Sequence, residues 1–353
     1  MERKYTGNDH MNAVFGGGAT DRIPVRVLQT FHSVLERAGV TAKEARTEPD
    51  KFVKVMAAFQ EAAPSDAIGI LAGDAALFAN ITGLTFEDLK KGFGMEEAIS
   101  SGGDIKESLR KLEVRDPKDY ERLQYYVEIC KKASATFPDV VIDAIGVSPW
   151  TAAMMLRGIE QFIFDTKDDP QFVHDLLRFA TEFSKMVGDA LMEAGIGMLT
   201  VADPNAGSSV ISPKMFREWA KPYLRDVVDH FKRQEKMPIY LHICGYTDPI
   251  MEDLISLGID GLSIDDPSSL KRLAEVSQGR IAIEGNFPTE MFAQGTKEEI
   301  EEKVKECIDT AAETNKYRYI LMSGCQVPGN APLENMRHFL ECGRRYGGRQ
   351  KAS

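Results

Sequence analysis

No run of about eighteen apolar residues occurs in the 353-residue chain, so no segment reads as a membrane-spanning helix. The start, Met1-Glu2-Arg3-Lys4, leads into polar sequence instead of the apolar stretch of a secretion signal. Together these absences predict a cytoplasmic protein with no membrane partner. Cysteine is sparse. Cys130, Cys244, Cys307, Cys325 and Cys342 are odd in number and irregular in spacing, which argues against a disulfide framework and leaves thiols or metal ligands. An excess of basic charge is also missing: the net charge is −11, whereas binding phosphate backbones needs a basic face, so nucleic acid is not an expected partner. The glycines Gly16-Gly17-Gly18 precede a strand-like run, while a phosphate-cradling loop follows a strand and opens a helix; a flexible turn is expected there.

What is present suits a soluble globule: 43% apolar and 27% charged residues, in a chain long enough for one large α/β barrel or two average domains. Eight strand-like apolar runs fall at 23–29, 67–71, 140–144, 197–202, 238–244, 261–264, 281–283 and 317–322. Helical patterns separate them. Asp116-Pro117 and Asp169-Pro170 offer an N-cap carboxylate followed by proline in the first turn, Ser212-Pro213 caps another helix, and Pro222 is expected to kink it. Strand and helix in eightfold alternation predict a (β/α)8 TIM barrel, a single domain over 1–353 with its core at about 20–345 and a helical N-terminal extension. A glycine-punctuated insertion at about 80–117, after the second strand, is long enough to cover a site.

In such a barrel the chemistry sits at the C-terminal ends of the strands. The stretch Tyr240-Leu241-His242-Ile243-Cys244-Gly245 ends the fifth run, and positions i and i+2 of a strand share a face, so His242 and Cys244 can reach one ion. Cys325 follows the eighth run in the same way. Two thiolates and an imidazole suit zinc, and three protein ligands leave a fourth position for water, a weak carboxylate or substrate. The competing reading makes them plain core residues. Other polar groups at strand ends are Asp74, Asp203, Asn205, Glu284 and Asn286. Cys130, Cys307 and Cys342 fall in helices, as small buried hydrophobes.

The barrel order, with His242-Ile243-Cys244-Gly245, Leu262-Ser263-Ile264-Asp265, Gly285-Asn286, Gly324-Cys325, and Ala331-Pro332-Leu333-Glu334-Asn335, resembles the uroporphyrinogen decarboxylase superfamily. Within it the match is to the zinc-dependent corrinoid methyltransferase branch, from about residue 10 to 345. The resemblance implies zinc on His242, Cys244 and Cys325, with Asp265 completing the shell when substrate is absent. It also implies a cobalamin supplied by a separate corrinoid protein, since no Asp-x-His-x-x-Gly run is present, and it leaves room for a homodimer. Where the decarboxylases carry an arginine that holds tetrapyrrole carboxylates, this chain reads Gln29-Thr30-Phe31-His32-Ser33.

Zinc assists methyl transfer in either direction by stabilising charge on the atom that loses or accepts the methyl group. Phe31, Phe78, Trp150, Tyr246 and Phe287 near the strand ends suggest an aromatic rim for a flat substrate. The expected donor is then a methoxylated aromatic compound, as in an O-demethylase. The alternatives are transfer from a methylcorrinoid to a small thiol of the coenzyme M type, a uroporphyrinogen-type decarboxylase, and a zinc-stabilised binding protein without turnover. Asp203, Asn205 and Asn286 are candidates for orienting substrate or corrinoid, with Asp74 near them. Glu284 is a proton donor or a satisfied carboxylate of the barrel floor.

Overall fold

The computed structural model describes residues 5–16, 20–28, 31–81, 104–315 and 318–348. Among these residues seven strands form one sheet in sequence order: β1 (Ala67–Leu71), β2 (Val141–Val147), β3 (Met198–Ala202), β4 (Ile239–Ile243), β5 (Gly261–Ile264), β6 (Ala282–Phe287) and β7 (Tyr319–Ser323). Every neighbouring pair is parallel. Parallel strands need long crossovers, and helices supply them on one face of the curled sheet while the other face turns inward. All residues of β2, β4, β5 and β7 are accordingly buried.

The first expected strand, 23–29, is the one that differs. Residues 22–28 lie beside β7, where Val25 and Leu321 form a single parallel bridge. Arg26 N–H donates to the Leu321 carbonyl at 3.0 Å and Leu321 N–H to the Pro24 carbonyl at 3.1 Å. Toward β1, Asp66 N–H donates to the Val25 carbonyl at 3.1 Å. A full ladder does not form because Pro24 has no N–H and the N–H of Val25 is taken by the Asp66 carboxylate at 2.8 Å. The same carboxylate holds Arg22 through two bonds of 2.6 and 2.9 Å.

The caps expected at Asp169 and Ser212 open helices, whereas Asp116-Pro117 opens a short 3-10 turn, Pro117–Asp119, ahead of helix Glu121–Thr136. In helix Pro170–Glu193 the Asp169 carboxylate accepts the Phe172 N–H at 3.2 Å, and Phe172, Leu176, Phe183 and Val187 are buried against the sheet and neighbouring helices. The kink expected at Pro222 takes the form of a π-helical turn over Phe216–Ala220, directly ahead of helix Lys221–Lys232, where the proline sits in the first turn. Of the expected insertion, 82–103 lie outside the described residues, as do Gly17, Gly18, Gln29 and Thr30. Residue Asp104 then caps a short helix, Ile105–Arg110. Among the described residues no helix is long and apolar enough to cross a membrane.

The N-terminal helical extension is helix Gly7–Gly16, and it has a definite place. Its Met11 and Val14 pack on Ala67, Val141, Met198, Tyr240, Ala282 and Ile320, at the N-terminal ends of six strands. Phe15 meets the Tyr240 ring edge-on at 5.4 Å. Fully burying each such side chain contributes about 1.5–3 kcal/mol. One end of the curled sheet is thus stoppered.

Candidate metal centre at the C-terminal strand ends

At the opposite end, β4 delivers His242 as its fourth residue, and Cys244 follows two positions on. Ala202, His242 and Ser263 lie side by side across β3, β4 and β5. Ser263 Oγ is 3.0 Å from His242 Nδ1, so with the proton on Nδ1 the Nε2 lone pair is turned toward the thiols. Gly245 has φ +70, which turns the chain sharply after Cys244. The turn is held by Asp265, whose two carboxylate oxygens accept the N–H groups of Gly245 and Asp266, each at 2.9 Å. Cys325 arrives from β7 through Gly324. A Cβ there would sit 2.8 Å from the Asp266 nitrogen, so only glycine lets the β7 loop approach the 265–266 turn.

The three side chains named from the sequence converge. Cys244 Sγ lies 3.3 Å from His242 Nε2 and 3.5 Å from Cys325 Sγ, and Cys325 Sγ lies 3.8 Å from His242 Nε2. Four-coordinate tetrahedral zinc, with bonds of about 2.0–2.3 Å, separates its ligand atoms by about 3.4–3.8 Å. The donor triangle therefore fits zinc without rearrangement. The thiols share a proton: Cys244 donates to Cys325, which brings Cys325 down to about 5 and pushes Cys244 up. Asp265 does not join this cluster of donor atoms within 4.8 Å, and both of its oxygens are engaged by backbone N–H groups, which hold it as a brace of the turn.

Among the described residues a second group brings donors equally close: Glu301, His338 and Cys342. Its donors are occupied. Glu301 Oε1 accepts from Tyr346 at 2.5 Å and Lys305 at 2.9 Å, and His338 Nε2 is 3.0 Å from the Lys297 carbonyl. These contacts tie helix Lys297–Asn315 to helix Leu333–Tyr346.

A cavity of about 220 Å³ opens beneath the first cluster, lined by His242, Cys244, Cys325 and Glu284, and by Arg26, Asp143 and Thr200. Glu284 is buried, and desolvation outweighs the attraction of Arg26 to push its carboxyl up to about 7. A neighbouring cavity of about 210 Å³ shares Leu28, Leu71 and Gln326 with it and is lined by Phe31 and Asp74. There Asp74 Oδ2 is fixed by Arg122 at 2.8 and 3.1 Å and by the Tyr126 hydroxyl at 2.6 Å.

The expected aromatic rim is not assembled. Trp150 is 1% exposed, its Nε1 donating to the Asn205 carbonyl at 3.1 Å and its ring against Phe162. Phe78 is buried in the core, and Phe287 packs on Phe292 and Phe339. Tyr246 stands 41% exposed outside both cavities. Large aromatic surfaces gain most by burial, and proximity to a strand end in sequence does not distinguish a ring above the sheet from one behind it. Asp203, Asn205 and Asn286 also line neither cavity. Asp203 is fully buried and accepts from Thr151 Oγ1 at 2.6 Å, and burial pushes it up to about 6. Asn205 Nδ2 is 3.4 Å from Thr151 Oγ1, and Asn286 Nδ2 donates to the Ser268 carbonyl at 2.7 Å.

Arg26, Asp143, Thr200 and Ser263 were not foreseen. Arg26 and Asp143 each interrupt an apolar run, Ile-Pro-Val-Arg-Val and Val-Ile-Asp-Ala-Ile, and a charge inside a buried strand was the available signal.

Fold and site define a parallel α/β barrel-like protein whose thiolate–imidazole cluster faces an internal cavity. The uroporphyrinogen decarboxylase (URO-D) family model matches residues 6–346, and the chain belongs to that family. It is 22% identical over 348 residues to the methylcobamide:CoM methyltransferase MtbA of Methanosarcina acetivorans, covering 97% of this chain and 99% of the relative. Over 194 residues it is 29% identical to a methylated-thiol–coenzyme M methyltransferase of Methanosarcina mazei, covering 55% of this chain and 50% of the relative. A solved methyltransferase from Methanosarcina mazei has the same fold, with a TM-score of 0.78 at 22% identity over 97% of this chain and 99% of the other.

Proposed function

We propose that this protein is a zinc-dependent methyltransferase that moves a methyl group between the corrinoid of a separate protein and a small thiol. The observation that carries this reading is the donor triangle of His242, Cys244 and Cys325, with spacings of 3.3, 3.5 and 3.8 Å, open on one side to a cavity of about 220 Å³. Its relatives' names point to the same half-reaction. The methoxylated aromatic donor loses its support, because Trp150, Phe78 and Phe287 are spent on the core and Tyr246 lies outside both cavities, which leaves Phe31 alone on a cavity wall.

Bound at the three donors, zinc lowers the pKa of a thiol and holds it as the nucleophilic thiolate. The chain's own residues do the rest. Ser263 fixes the His242 tautomer, Asp265 fixes the turn that carries Cys244, and the cavity walls orient the thiol and keep bulk water away. The reading includes a complete eightfold barrel in which segment 22–28 takes the position of the first strand.

The test is anaerobic visible spectroscopy of the zinc-loaded protein. Methylcobalamin with 2-mercaptoethanesulfonate or another small thiol is expected to convert to cob(I)alamin, and His242→Ala to abolish the conversion. Methylation of cob(I)alamin by methoxybenzenes alone would restore the O-demethylase reading. Inactivity with both, together with decarboxylation of a porphyrinogen, would return the protein to the family's decarboxylase chemistry.

A further inference from the structure

Polar groups on the cavity floor are left over from the metal chemistry. Arg26 is 1% exposed, yet among the described residues its one hydrogen bond runs from Nη2 to Asp143 Oδ2 at 2.8 Å. Its Nε faces Glu284 Oε1 at 3.4 Å without a hydrogen bond, and Nη1 has no partner. Glu284 Oε1 is likewise buried and without a hydrogen bond. The negative charge of Asp143 is met by Arg26 on one oxygen and by Thr200 Oγ1, at 2.8 Å, on the other. What remains open is therefore a donor edge of a guanidinium. Buried polar groups in folded proteins find partners, and the cavity these residues line is where the missing partner belongs.

We infer that Arg26, with Glu284 beside it, receives an oxyanion group, a carboxylate or a sulfonate, at the end of a small substrate remote from the thiolate cluster. The choice among ligand chemistries follows from donor counts and charge. A guanidinium has five N–H donors and no acceptor, so its free edge repels a cation and accepts an oxygen-rich anion. Glu284, raised by burial to about 7, carries less than a full negative charge near neutral pH and can offer a proton to the anion's oxygen. Size sets the other limit: about 220 Å³ is below the 300–1,000 Å³ typical of drug-sized ligands, so the substrate is a short chain with an acid group at one end.

The assignment rests on the thiol-methyltransferase reading, and it adds a specificity-determining residue outside the metal cluster. It is tested by calorimetric titration of the intact metal-loaded protein with four probes lacking a thiol: ethanesulfonate, propionate, propionamide and ethylammonium. Ethanesulfonate and propionate are expected to bind at least tenfold tighter than propionamide, with no binding of ethylammonium. Arg26→Gln should weaken both anions about ten- to a hundredfold and leave propionamide unchanged. If only propionate binds, and equally well to Arg26→Gln, the anion sits on the metal and the assignment falls. Equal binding of propionamide and ethanesulfonate, or preference for ethylammonium, overturns it as well. Should Arg26→Gln fail to fold, the selectivity of the unmodified protein among the four probes decides the matter. The two readings fail separately: ethanesulfonate binding without thiol methylation would sink the methyltransferase alone, while methylation of ethanethiol and 2-mercaptoethanesulfonate with equal kcat/KM would sink the oxyanion site alone.

Discussion

Ser263 Oγ lies 3.0 Å from His242 Nδ1, on the side of the ring away from the two thiols. The serine is one strand over, in register with the histidine, so the sheet itself sets which nitrogen faces the cluster. Groups that orient a ligating histidine typically account for 10–100-fold in metal affinity. Ser263→Ala is therefore expected to weaken zinc binding within that range, measured by competition with a chromophoric chelator, while the thermal midpoint of the metal-free protein stays nearly unchanged. Unaltered affinity would show that the hydroxyl plays no part in fixing the ring.

Two groups of potential donors lie in the described chain, and metal content separates them. Cys325→Ala is expected to lose stoichiometric zinc, whereas Cys342→Ala should retain it, because Glu301 and His338 are already engaged by Tyr346, Lys305 and Lys297. The opposite result would relocate the metal centre to the helix pair.

In the metal-free protein Cys325 should alkylate at acid pH. Its thiol is lowered to about 5 by the hydrogen bond from Cys244, so the thiolate is present above that pH and lost below it. The rate of iodoacetamide modification at Cys325 should then plateau well below the pH, about 8.5, at which an ordinary thiol is half ionised. In Cys244→Ala the midpoint should move upward, since the donated hydrogen bond is gone. Peptide mapping by mass spectrometry reads both.

Asp203 carries a linkage signature. Burial raises its folded value to about 6, from about 3.9 unfolded, so the native state holds the proton more tightly. Stability is then lost as pH rises from about 4 to 6 and the deficit persists above that window, amounting to about 1–3 kcal/mol by linkage. Asp203→Asn keeps an acceptor for Thr151 and removes the titration. The stability gap between this variant and the parent, from urea unfolding, should shift in the variant's favour between pH 4 and pH 7. A pH-independent gap would show Asp203 ionised in the fold.

The strands and the meeting of His242 with Cys244 were legible because each rests on a local rule. Apolar runs bounded by turn residues mark buried strands, and a strand's two-residue period puts His242 and Cys244 together. Cys325, some eighty residues on, came within reach through the barrel pattern and the family resemblance. What escaped depends on long-range partners. Residues 23–29 read as a strand, but Asp66 takes the N–H of Val25 that a ladder would use. Trp150 and Phe287 read as rim residues, yet Phe162 and Phe339 claim their faces. Arg26 and Asp143 are ordinary charges in the sequence. Their pairing across 117 positions makes a polar floor that no short window contains.

Helix Gly7–Gly16 seals the N-terminal ends of the strands, while Leu71 and Tyr246 stand exposed at the other end. The described wall of the cavity is thus closed on the helix side, and under the proposed function a small thiol and a corrinoid protein would both have to use the opposite side. In that case a protein seated there would shut the small molecule in, so the small molecule would enter first and leave last. The rate at which the protein departed would then cap the rate at which the small molecule is exchanged.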